Sequence, residues 1–158
     1  MTLRFPLRRR RHQGPADHST QPAAVTAQAV TCSRSGWHGI LKIVTGLAVS
    51  VTVHDGGAGP CTVIQLVGEA DVSTRAMADV FDAEVVKRPR LLVVDLSGLG
   101  FIDSSALSVI MRTHRALHRD GGTLALVSPS PAVARILQLI DIAGTIPVYP
   151  TLEEATAG

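Results

Sequence analysis

The sequence predicts an α/β domain, with a mixed four- to five-stranded sheet opened by an N-terminal antiparallel hairpin and packed with helices. Three observations predict it. From Val49 onward, short β-branched runs alternate with stretches whose apolar residues recur at helical spacing. The first two runs are joined by a connection too short for a parallel crossover, so they pair as a hairpin. Hydrophobic residues make up 46% of the 158 but aromatics only 3%, so the core is built from Val, Leu, Ile and Ala.

The elements follow in order. Folded sequence is expected to begin between Ile40 and Val49. Val49, Val51 and Val53 alternate with Ser50, Thr52 and His54, the pattern of a half-buried strand. Asp55-Gly56-Gly57 and Gly59-Pro60 form the turn, and Cys61 to Val67 the second strand, ended by Gly68. Ser73 or Thr74 caps a helix reaching Lys87, with Met77, Val80, Phe81 and Val85 on its apolar face and Arg88-Pro89 as its stop. Leu91 to Val94 is wholly apolar, like strands buried on both faces of a parallel sheet, and Asp95 closes it. A second helix runs from Ser104 to Arg119, with Leu107, Ile110, Met111, His114 and Leu117 facing inward and Arg112, Arg115 and Arg119 facing water. Asp120-Gly121-Gly122 ends it, and Thr123 to Val127 is the next strand. Ser130-Pro131 starts a third helix as N-cap and first-turn proline. Val133, Ile136, Leu137 and Ile140 form its apolar face, and Gly144 ends it. Ile146-Pro147-Val148-Tyr149 is a last edge strand, and Thr151 with Glu154 caps a terminal turn.

Charge divides the chain. Residues 1–46 carry seven basic side chains and one acid, whereas the remainder carries eight basic and twelve acidic residues. The basic character therefore belongs to a tail over residues 1–39, expected to be disordered: dispensable, the product of a misplaced start codon, or a genuine basic tail that touches nucleic acid or an acidic partner. A nucleic-acid partner is not expected from the charge of the whole chain. Arg8 to Arg11 lack a following apolar segment, so no signal peptide is expected. No apolar run is long enough for a membrane span, and the location expected is cytoplasmic. Cys32 and Cys61 supply no disulfide framework, and Cys61 is expected to be a buried thiol.

The chemistry concentrates between Leu91 and Ser105. A buried strand leads through a loop carrying Gly98 and Gly100 to Asp103-Ser104-Ser105 at a helix start. With Asp103 as N-cap, Ser104 and Ser105 occupy the first two helical positions, where backbone N–H groups lack intrahelical partners. Those donors and the positive helix end suit a phosphate, although the same residues also suit simple capping. Asp95 and Asp103 together suit a metal ion belonging to an incoming kinase. No histidine is placed to act as base for either serine, and Gly-x-Ser-x-Gly is absent, so no catalytic residue is assigned. His114 and His118 lack a third ligand, and Gly98-Leu99-Gly100 is followed by no Gly-Lys-Ser/Thr, so neither metal nor cofactor is expected.

The run Phe101-Ile102-Asp103-Ser104-Ser105-Ala106-Leu107, preceded by Leu92-Val93-Val94-Asp95-Leu96-Ser97, resembles the signature of STAS domains, in particular the bacterial anti-sigma-factor antagonists. Gly68-Glu69-Ala70-Asp71, Gly121-Gly122 and Ser128-Pro129-Ser130-Pro131-Ala132-Val133 agree with it in order and spacing. The resemblance spans about residues 48–156 and implies a STAS domain over 40–158. It implies that Ser105, ahead of Ser104, is phosphorylated by an anti-sigma factor with serine-kinase activity. A separate serine phosphatase would reset the switch. Asp71, Asp103, Ser104 and Ser105 are then the partner-binding residues. The sigma factor so governed belongs to transcription control of the stress-response kind. The family commonly has glycine where this chain has Ala106. The alternative implied by the same resemblance is a non-phosphorylated scaffold subunit of a membrane transport complex.

Overall fold

The computed structural model describes residues 40–44, 46–56, 59–70 and 74–157. Six strands form one sheet in sequence order: β1 Ile40–Val44, β2 Leu47–Gly56, β3 Gly59–Ala70, β4 Leu91–Ile102, β5 Thr123–Val127 and β6 Val148–Tyr149. The helices are α1 Thr74–Val86, α2 Ser104–Arg119, α3 Pro131–Leu139 and the short α4 Leu152–Thr156, with a 3₁₀ turn at Ile142–Gly144. β1 with β2 and β2 with β3 pair antiparallel, and β3, β4, β5 and β6 run parallel. Strands β2 to β6 make the expected mixed sheet, and β1 joins at its edge. The tail over 1–39, with Cys32, lies outside the described residues.

The two faces of the sheet are covered unequally. On one, Ile64 and Leu66 of β3, Leu92, Val94 and Leu96 of β4, and Leu124 and Leu126 of β5 meet Met77 and Phe81 of α1, Ile110 and Leu117 of α2, and Val133 and Leu137 of α3. Burying a side chain such as Phe81 contributes about 1.5–3 kcal/mol. On the other face Cys61, Val63, Val93, Ala125 and Val127 form a smaller cluster closed by Ala155 and Leu152 of α4 and by Tyr149. Cys61 is buried as expected, and burial pushes its thiol pKa up.

The largest departure from expectation is the length of β3 and β4. Gly68 does not end β3, and Asp95 does not end β4; the expected loop over Gly98 and Gly100 is strand. Gln65 pairs with Asp95 but Val67 with Gly98, and Gly68 pairs with Leu99 but Glu69 with Phe101. Each step gives β4 one extra residue. The two bulges explain why Leu96, Leu99 and Ile102, three apart, all point into the core. Gly68 has φ +110, and a Cβ there would collide with the Gly46 carbonyl, so glycine is required where β3 crosses the start of β2.

The other adjustments are smaller. Asp55 and Gly56 belong to β2 rather than to the turn. The cap offered by Ser73 lies outside the described residues. α2 buries Ala106, Val109, Ile110, Thr113 and Leu117, while Leu107, Met111 and His114 are half-buried, because the helix lies on the sheet with α1 along one flank. α3 stops at Leu139, which leaves Ile140 exposed, and Gly144 ends the following 3₁₀ turn instead. Ser130 and Thr151 cap α3 and α4 as expected. Only Val148 and Tyr149 of the last edge run are strand.

Candidate functional site

The site is built where β4 hands over to α2. Asp103 sits in extended backbone at φ −94 and ψ 174, and its Oδ1 accepts the Ala106 N–H at 2.7 Å. Its own N–H donates to the Ala70 carbonyl at 3.0 Å, tying the helix start to the end of β3. Its carbonyl accepts the Leu107 N–H at 3.1 Å, closing the first turn. The cap thus satisfies Ala106, while the N–H groups of Ser104 and Ser105 have no partner within the helix. Both serines are exposed, and Ala106 behind them is fully buried in the core, so its methyl group is accommodated. Ser108 Oγ donates to the Ser104 carbonyl at 2.7 Å, one turn along the helix.

A second contact braces the same end of the sheet. Ser130 Oγ donates to the Leu99 carbonyl at 2.7 Å while accepting the Val133 N–H at 3.4 Å. One hydroxyl therefore caps α3 and pins the bulged part of β4. Nothing in the spacing of Ser130 and Leu99 announces this link, because it exists only once β4 has bulged.

Asp95 has a different task from the one expected. Its Oδ2 accepts from Gln65 Nε2 at 3.1 Å and its Oδ1 from the Ser97 N–H at 2.9 Å, which fastens the first bulge. Asp95 and Ile102 lie opposite Gln65 and Ala70, five residues apart on β3, a span of about 16 Å. The two carboxylates of Asp95 and Asp103 are therefore too far apart to share one metal ion. Asp71 lies outside the described residues.

The histidines on α2 do not join the site. His114 is half-buried with its Nδ1 unpartnered, and the rings of His114 and His118 stack with centroids 6.0 Å apart. Burial first, then the charges of His118 and Arg115, holds the His114 pKa below its ordinary value. Among the described residues, no group of three or more His, Cys, Asp or Glu side chains could hold a metal ion. Among them too, no helix is long and apolar enough to cross a membrane.

Half-buried Asp103 and exposed Ser104 and Ser105 thus start the helix that follows a bulged parallel strand. The family model for the STAS domain matches residues 50–155. The chain belongs to the STAS family. As a STAS domain it is a regulatory module and not an enzyme. Its relatives include an "Anti-sigma F factor antagonist" of Paenibacillus polymyxa, 30% identical over 89 residues that cover 55% of this chain and 76% of the relative. Among solved structures, an anti-sigma factor antagonist from Mycobacterium paratuberculosis aligns with TM-score 0.63 and 31% identity, over 72% of this chain and 93% of that one. A putative anti-sigma factor antagonist from Thermotoga maritima aligns with TM-score 0.54 and 31% identity, over 59% and 83%. The STAS match begins within β2, so β1 precedes it.

Proposed function

We propose that this STAS domain is an anti-sigma factor antagonist, switched off by phosphorylation of Ser105. The observation that carries the reading is the division of labour at the start of α2: Asp103 caps the helix, and Ser105 stands exposed beside it. The relatives with the same fold and matching sequence bear the corresponding names.

The partner is an anti-sigma factor with serine-kinase activity, and the ATP is bound by that partner. The Ser105 Oγ attacks the γ-phosphorus, an O–P bond forms, and the bond to the β-phosphate oxygen breaks. ADP leaves, and the hydroxyl proton passes to a base on the kinase. The product gains a charge of about −1.5 to −2 at pH 7. The free N–H groups of the first turn and the positive helix end stabilise that charge. Across a contact patch the same phosphate adds repulsion and desolvation cost, which releases the partner. We assign Asp71, Asp103 and Ser104 to partner binding together with Ser105, and a serine phosphatase restores the binding state.

Intact mass before and after incubation with ATP, Mg²⁺ and candidate kinase-like anti-sigma factors tests the reading. One phosphate, about 80 Da, is expected on the wild type and none on Ser105→Ala. A phosphate retained by Ser105→Ala moves the site elsewhere. No phosphate with any candidate, together with stable association with transporter subunits, overturns the proposal.

A further inference from the structure

Six large apolar side chains are exposed among the described residues: Val53, Val67, Val86, Phe101, Leu139 and Ile140. Four lie away from the serine. Val86 ends α1, and Leu139 and Ile140 end α3, both helices that start at the serine end of the sheet. Val53 pairs with Thr62, which lies opposite Leu92 at the start of β4. Only Val67 and Phe101 remain at the Ser105 end, 44% and 46% exposed.

These two belong together. Glu69 pairs with Phe101, and Val67 is two residues back on β3, so Val67 and Phe101 share a sheet face with Cα atoms roughly 8 Å apart. Among the described residues, that face is the one α1, α2 and α3 leave uncovered, and α4 covers it only around Ala155. The chain contains only three phenylalanines, and one is left in water four residues before Ser105. Four residues of chain reach at most about 14 Å. A standard interface covers about 800 Å² on each partner, a disc of roughly 16 Å radius. An interface centred on Ser105 is therefore wide enough to extend to Phe101.

We infer that Phe101 and Val67 are the apolar anchor by which the kinase-type partner grips this chain, an inference that rests on the proposed switch. The ring fills an apolar pocket of that partner, and exposed Glu69 lies at its rim facing a basic side chain. The anchor supplies affinity and brings Ser105 to the ATP; the phosphate then opposes the same contact.

Partner affinity is measured in a Ser105→Ala background, and the efficiency of Ser105 phosphorylation in the otherwise wild-type chain. Phe101→Ala is expected to keep the wild-type circular dichroism and melting temperature. It should weaken binding and lower kcat/KM at least about tenfold. Val67→Ser acts in the same direction, and Phe101→Trp, which keeps the apolar area, retains binding. Unchanged affinity and kcat/KM for Phe101→Ala, with a wild type that binds and is phosphorylated, overturn the anchor and leave the switch standing. A wild-type homodimer that Phe101→Ala dissociates, with partner binding unchanged, assigns the patch to a second copy and also overturns it. A wild type that neither binds nor accepts phosphate overturns the switch itself, and the anchor with it.

Discussion

Asp103 joins three elements through one residue. Its N–H holds the end of β3, its carbonyl closes the first turn of α2, and its carboxylate caps that turn. Removing the carboxylate leaves the Ala106 N–H without its partner and frees the turn that displays Ser105. Asp103→Ala is expected to cost about 1 kcal/mol, lowering the melting temperature by roughly 3–6 °C. Thermal unfolding followed by circular dichroism checks this, and an unchanged midpoint would show that water replaces the cap at no cost. The capping role was legible in the sequence, because Asp before a helical apolar pattern has few other local uses. The role of Asp95 was not, because its partner Gln65 is 30 residues away and meets it only across a parallel ladder.

At the scale of elements, β4 and α2 misled in opposite ways. β4 looked short because an apolar residue every third position fits neither strand nor helix until two bulges absorb the surplus. Apolar spacing predicts α2 from about Ser104 to Arg119, where it lies, yet its inward face is turned from the expected stripe toward Val109 and Thr113. Periodicity locates a helix; it does not say which neighbour lies on each flank. The rotation leaves His114 half-buried with an unpartnered Nδ1 and a lowered pKa. Its unfolded-state pKa is about 6.5, so as pH falls below that value the unfolded chain takes up the proton more readily than the folded one. Stability therefore declines from about pH 6.5 down to the lower folded-state pKa. Chemical denaturation between pH 7.5 and 5.5 should show a shallower decline for His114→Leu than for wild type. Parallel slopes for the two proteins would remove His114 as the cause.

Over the whole molecule, the proposed switch is separated from the core. The three long helices close one face of the sheet around Phe81 and Met77, and the serine end projects from the rim of that assembly. A charge added at Ser105 meets water and a positive helix end, not packed side chains. Ser105→Asp is therefore expected to change stability by no more than about 0.5 kcal/mol. Calorimetry checks the stability, and a binding titration with the proposed anti-sigma partner should show affinity falling at least tenfold. A collapse of stability on the same substitution would mean that the helix start is part of the cooperative core, and that the switch acts by unfolding.

The sequence by itself determined the alternation of strands and helices after the opening hairpin, the caps at Asp103, Ser130 and Thr151, and the position of Ser104 and Ser105 at a helix start. All of these depend on residues within a few positions of one another, where dihedral preference, capping and apolar period act directly. The tertiary structure alone decided that β3 and β4 continue past Gly68 and Asp95, that Ser130 pins Leu99, and that Phe101 is left on the uncovered face. Those outcomes depend on partners 30 or so residues away and on which sheet face the helices choose to close. Local sequence carries no record of that choice until the chain has packed.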